Sequence, residues 1–240
     1  MVSSLAPVRT RSWWPDLLAV VAFALLTGVL AEGFLLAFDQ RVADWAFAHQ
    51  PPVLYWTARV LNYLGQGGQV LMPVALILTG LLVWRTRSVR AALPFVAAFV
   101  LTYFTIGPAK LVFDRAAPAF TGPDKTELFN PAAIGKYGMS YPSGHMGNVL
   151  VWYTVMALLI AALLHRPLTG REWVLIRVVP VVIVFCTTVY LGFHWVTDSV
   201  AGVLLGLVLA RIIARVPWDS IPLPALRGWE RPAGLPASRI

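Results

Sequence analysis

Three short stretches carry the residue types best suited to chemistry. In TTVYLGFHWVTDSVAG (residues 187–202), His194 and Asp198 stand four apart between two nearly pure hydrocarbon runs. Residues at i and i+4 are neighbours on a helix. A carboxylate that takes the proton of one imidazole nitrogen fixes the tautomer and frees the other nitrogen as a base or nucleophile. The plainer reading is a self-satisfied polar pair at a helix start, with Asp198 or Thr197 as cap. In PSGH, Pro142 and Gly144 shape a tight turn before an apolar run. A helix N-terminus offers free N–H groups and a positive dipole end to an anion. Ser143 adds a hydroxyl, and His145 follows; an ordinary Ser cap with an interfacial histidine has the same sequence. In AKLVFDRAAP (109–118), Lys110 and Arg115 stand where another apolar run ends, as snorkelling cations also do. Together these make two histidines, an aspartate, two cations and an anion-binding turn. A cation pair beside a helix end is a phosphate cradle. Two histidines permit covalent transfer, one attacking phosphorus and the other protonating the leaving oxygen.

The elements that must position them are apolar. Of 240 residues, 58% are hydrophobic and 12% charged, with a mean hydropathy of +0.72. Soluble domains carry about 25% charged residues, so the expectation is an all-α polytopic membrane protein. Six spans read at roughly 17–38, 69–84, 91–109, 143–164, 173–192 and 197–214. Residues 39–66 read as one or two short amphipathic helices at the interface, followed by a GQGG turn at 65–68. Residues 1–216 form one domain, in which the loop 110–142 leads into PSGH, and 217–240 read as a loosely ordered cytoplasmic tail. Glu32 lies near a span end and reads as reaching headgroups. The single cysteine, Cys186, reads as packing and excludes a disulfide framework. The first apolar run is too long for a cleavable signal core. No repeats are visible.

The net charge of +8 does not point to nucleic acid, because the cations are scattered between apolar runs. They report topology instead. With both termini cytoplasmic, the segments 9–11, 85–90, 166–177 and 211–239 hold thirteen of the nineteen Lys and Arg residues. That bias follows the positive-inside rule. It puts the loop 110–142 and the His194 turn on the same extracytoplasmic side.

These motifs resemble the type 2 phosphatidic acid phosphatase (PAP2) superfamily of membrane lipid phosphatases, whose motifs run K-x6-R-P, P-S-G-H and S-R-x5-H-x3-D. PSGH matches in full at Pro142, Ser143, Gly144 and His145; Lys110 and Pro118 match the first motif, His194 and Asp198 the third. The likeness covers most of 17–216 and implies a six-span bundle. It departs at two phosphate-binding arginines: Ala117 and Thr188 stand in their places, with Thr187 at the serine position. In an extended loop Arg115 would keep the side of position 117 and substitute there, with Thr188 as a neutral donor and Lys125 or Lys136 as loop cations.

The resemblance implies a metal-independent phosphatase at the plasma membrane, without cofactor. His194 attacks phosphorus, Asp198 orients it and His145 serves as acid and then base. Lys110, Arg115, Ser143, Gly144 and Thr188 hold the phosphoryl group. The expected partners are the bilayer and a lipid phosphate: polyprenyl diphosphate, phosphatidate or phosphatidylglycerophosphate. A lipid or glycolipid phosphotransferase using the same phosphohistidine, and a non-catalytic lipid-binding protein, stay open as alternatives. No metal site is expected, because PSGH and the nearby cations suit an anion.

Overall fold

The structure, a computed structural model, describes residues 12–133 and 138–236. It is all-helical: α1 Trp14–Ala31, α2 Leu36–Ala48, α3 Pro52–Asn62, α4 Met72–Thr86, α5 Leu93–Phe113, α6 Gly144–Leu164, α7 Gly170–Arg177, α8 Val179–Tyr190 and α9 Val196–Arg215. Among the described residues there is no strand. Six helical segments are long and apolar enough to cross a membrane: α1, Gly67–Thr86 ending in α4, Val89–Phe113 ending in α5, α6, Gly170–Tyr190 comprising α7 and α8, and α9. Large apolar side chains such as Ile77, Phe104 and Leu111 are exposed on the outside, as a hydrocarbon solvent requires.

The first span is shorter than its apolar run suggests. α1 stops at Ala31, the chain turns through Gly33 and Leu35 at positive φ, and α2 begins at Leu36. An unbroken helix would carry Asp39 about 12 Å beyond Ala31. Instead Asp39 is buried and pairs with Arg115 at 2.8 Å. Glu32 stays exposed at the break. α2 and α3 are the short helices expected over 39–66.

α6 is the central helix, with fourteen of its twenty-one residues buried, and it packs against α4, α5, α8 and α9. α9 meets its N-terminus backbone to backbone. A Cβ at Gly202 would stand 2.4 Å from the Ser143 carbonyl oxygen. Small residues allow such approaches between membrane helices. The contact joins the second and third motifs directly, since the Ser143 N–H donates to the Asp198 carbonyl at 2.9 Å.

Two expectations differ from the structure. The segment after α9 is docked, not loose. Trp218, Ala233 and Leu235 are buried in the main core. Asp219 accepts the N–H groups of Ala233 and Leu235 at 2.8 Å, and Val89 N–H donates to the Trp229 carbonyl at 2.9 Å. Side chain-to-backbone bonds hold this segment, so no helical period marks it in the sequence. Cys186 lies exposed on α8 instead of packing in the core.

Candidate active site

The three motif stretches and the GQGG turn enclose a cavity of about 740 Å³. Lys110, Gly144, His145 and His194 line it, with Gln66, Asn148, Phe193, Ser140 and Arg59. The two imidazoles meet at an interplanar angle of 74°, with His145 Nδ1 3.2 Å from His194 Nε2.

One line of hydrogen bonds runs through both rings, and its ends set its direction. Asp198, an acceptor when ionised, takes the Ser140 hydroxyl proton at Oδ2, 2.6 Å away. Ser140 Oγ then accepts from His194 Nδ1, at 3.1 Å. That leaves a lone pair on His194 Nε2, so the proton between the rings belongs to His145 Nδ1. His145 Nε2 in turn accepts from the side-chain amide nitrogen of Gln66 at 3.2 Å. The sequence pairs His194 with Asp198 directly. The structure sets them 3.7 Å apart with Ser140 as the bridge. The N-cap of α9 is Trp195, not Asp198 or Thr197; Asp198 stands at N3, and its Oδ2 accepts the Trp195 N–H at 3.0 Å. Burial pushes the His194 imidazole below its usual pKa, and the side chain of Asp198 opposes this. The lowered value favours the neutral, nucleophilic form.

Of the expected phosphate ligands, Lys110 and Gly144 line the cavity. A Cβ at Gly144 would come 3.1 Å from Lys110 Cε, so the glycine leaves room for the lysine to cross the helix start. Lys110 Nζ donates to the Met139 carbonyl. Ser143 does not line the cavity; it is buried as the N-cap of α6 and accepts from the Met146 N–H at 3.4 Å.

Nor is Arg115 brought to the cavity. Its side chain is fully buried and bonded to Thr126, Thr197, Asp198 and Asp39 at 2.6–2.8 Å. α5 ends at Asp114 with φ 33°, and this turn sends Arg115 inward while Ala117 faces the cavity. Thr188 is also fully buried, away from the cavity, and accepts from Asn62 Nδ2 at 2.9 Å. Lys125 stands over the Trp195 ring at 5.9 Å, off the cavity. Lys136 lies outside the described residues.

Sequence reasoning missed Ser140, Gln66, Asp39 and the place of Arg59 on the cavity wall. Gln66 had a signal in its flanking glycines. A Cβ at Gly65 would stand 2.5 Å from Val184 Cγ1 and 3.3 Å from His145 Cδ2; one at Gly67 would stand 2.8 Å from Asn148 Nδ2. The two glycines let the turn close down on α6 and α8 and press Gln66 onto His145.

The PAP2 superfamily profile matches residues 91–222. The chain is 23% identical over 190 residues to phosphatidylglycerophosphatase B of Bacillus subtilis (strain 168), covering 78% of this chain and 87% of that protein. Among solved structures, it is similar to a transmembrane PAP2-type phosphatidylglycerolphosphate phosphatase from Bacillus subtilis. There the TM-score is 0.67 at 21% identity, over 83% of this chain and 94% of that one. It is also similar to Aquifex aeolicus LpxE, with a TM-score of 0.50 at 19% identity, over 73% and 94% of the two chains. The chain belongs to the PAP2 superfamily, as a membrane-embedded phosphatase of that family.

Proposed function

We propose that the protein hydrolyses a lipid phosphate or diphosphate through a phosphohistidine on His194, without a metal ion, on the extracytoplasmic side of a plasma membrane. The observation that carries this reading is the line of bonds from Asp198 through Ser140, which leaves the Nε2 lone pair of His194 in the cavity. That lone pair attacks phosphorus while the bond from phosphorus to the leaving oxygen breaks. The leaving oxygen takes the Nδ1 proton of His145. For this, His145 holds a second proton on Nε2, which the side-chain oxygen of Gln66 accepts after a half-turn of its amide. Asp198 offsets the positive charge on the phosphorylated ring. Water then attacks the phosphohistidine, His145 Nδ1 takes its proton, and inorganic phosphate leaves. Lys110 and the N-terminus of α6 at Gly144 face the phosphoryl oxygens.

The cation bias supports that side of the membrane, and the Bacillus relative named phosphatidylglycerophosphatase B supports a lipid phosphate as substrate. The test is phosphate release from detergent-solubilised protein in the presence of a chelator. Polyprenyl diphosphate, phosphatidate and phosphatidylglycerophosphate are compared. His194→Ala is expected to remove release from every lipid, and rapid quenching of the parent is expected to trap an acid-labile phosphohistidine. Release by His194→Ala at the parent rate removes the proposal. Transfer of the phosphoryl group to an added polyol in place of water makes the protein a phosphotransferase.

A further inference from the structure

The cavity has an alanine, Ala117, where the resemblance puts a phosphate-binding arginine, and Thr188 and Arg115 are both turned away from it. Yet a second cation does face it. Arg59, on α3, lines the cavity together with Tyr55 one turn before it. The outer side of α3, with Val53, Trp56 and Val60, is exposed, so the helix lies along the apolar surface and presents Arg59 inward. Its guanidinium sits 5.5 Å from the centre of the Phe193 ring. Phe193 in turn stacks on His145, with centres 6.0 Å apart and planes 18° apart. Arg59 is thus held one ring away from the histidine pair. Among the described residues it makes no ion pair and donates no hydrogen bond. A half-buried guanidinium with all its donors unused, facing two histidines and a lysine, suits an oxyanion. Its counterpart Arg115 has the opposite surroundings, with two carboxylates in contact.

We propose that Arg59 is a substrate-phosphate ligand of this enzyme, supplying from an interfacial helix the cation that position 117 lacks. The assignment rests on the phosphatase reading for its substrate, but its test does not depend on turnover. In a His194→Ala background, inorganic phosphate is titrated against the melting temperature of the detergent-solubilised protein. Adding Arg59→Gln is expected to raise the phosphate concentration needed for the same shift about 10- to 100-fold, the range for one charge-assisted hydrogen bond. Its melting temperature without phosphate is expected to stay put. In the otherwise native chain, Arg59→Gln is expected to lower kcat/KM on phosphatidate and on polyprenyl diphosphate by a similar factor. Ala117→Arg in the same chain is expected to restore most of it. An unchanged phosphate titration, or kcat/KM within twofold of the parent on both lipids, overturns the assignment. An inactive parent that still loses phosphate affinity on Arg59→Gln removes the hydrolytic reading and leaves the Arg59 site standing.

Discussion

Two arginines flank the histidine pair and live in opposite surroundings. Arg115, behind His194, has no exposed surface and spends its donors on Asp39, Asp198, Thr197 and Thr126. Arg59, at the rim, touches one aromatic ring and no acid. A guanidinium with four of its five donors taken, its charge paired with two carboxylates and no exposed surface is out of a phosphate's reach. One resting on a ring face keeps all of its donors. Proximity to a motif in sequence therefore does not make a cation a ligand; its partners decide. On the proposed reading, the wall behind His194 sets the position of the nucleophile and the rim receives the substrate.

The largest effect that tests this contrast is on stability. Arg115→Met would leave Asp39 and Asp198 facing each other in a buried site without their shared cation. Breaking a buried pair from one side costs about 3–5 kcal/mol. Chemical denaturation in detergent is expected to show a loss of that size, with phosphate release falling as the folded fraction falls. If Arg115→Met kept parental stability and instead weakened binding of inorganic phosphate, Arg115 would belong to the rim and the contrast would collapse.

What the sequence revealed about the site follows the same division. His194, Asp198 and PSGH were legible because their spacing is local and each sits at a helix start, where the backbone fixes the direction of the side chain. The six spans were legible from apolar runs alone. The side on which Arg115 falls was not. An extended strand would put residues 115 and 117 on one side, but the positive φ at Asp114 and the return of the chain to Ser140, whose N–H donates to the Arg115 carbonyl at 2.8 Å, break that alternation. Ser140 and Asp39 carry no motif, because their roles come from contacts made across the bundle. The docked tail was missed for a related reason: Trp218 and Asp219 act on neighbours, not through a period.

A smaller effect, on chemistry more than stability, is expected at Ser140. Its hydroxyl links His194 to Asp198, and bonds to charged groups contribute about 1.5–3 kcal/mol each. Ser140→Ala is expected to lower kcat about 10- to 100-fold with little change in phosphate binding, a KM-against-kcat split that separates the wall from the rim. The pH profile adds a signed test. Burial lowers the His194 pKa, so the acid limb of kcat/KM should lie below the usual histidine value of about 6.5, with activity lost as pH falls through it. Ser140 accepts the Nδ1 proton and so favours the charged ring; its removal should move the limb lower still. Asp198, Lys110 and His145 also face this ring, and their charges act in both variants alike. If Asp198 closed the 3.7 Å gap by itself, Ser140→Ala would show neither change.

The smallest effect is expected at Thr188, where the resemblance places an arginine that holds phosphate. The threonine hydroxyl is buried in the contact between α8 and α3, and Asn62 Nδ2 reaches both it and Thr187 Oγ1, at 2.9 and 3.1 Å. Thr188→Val keeps the shape and removes one acceptor, while Thr187 keeps the amide partly bonded. A neutral buried hydrogen bond contributes about 1 kcal/mol, so the variant should lose about that much stability. Inhibition by inorganic phosphate and kcat/KM should stay within twofold of the parent. A tenfold loss of phosphate affinity would instead show that position 188 still reaches the substrate, through a movement of α8 that opens it to the cavity. The rim would then have two contributors from outside the PSGH turn, and Arg59 would share the work of the missing arginines instead of replacing them.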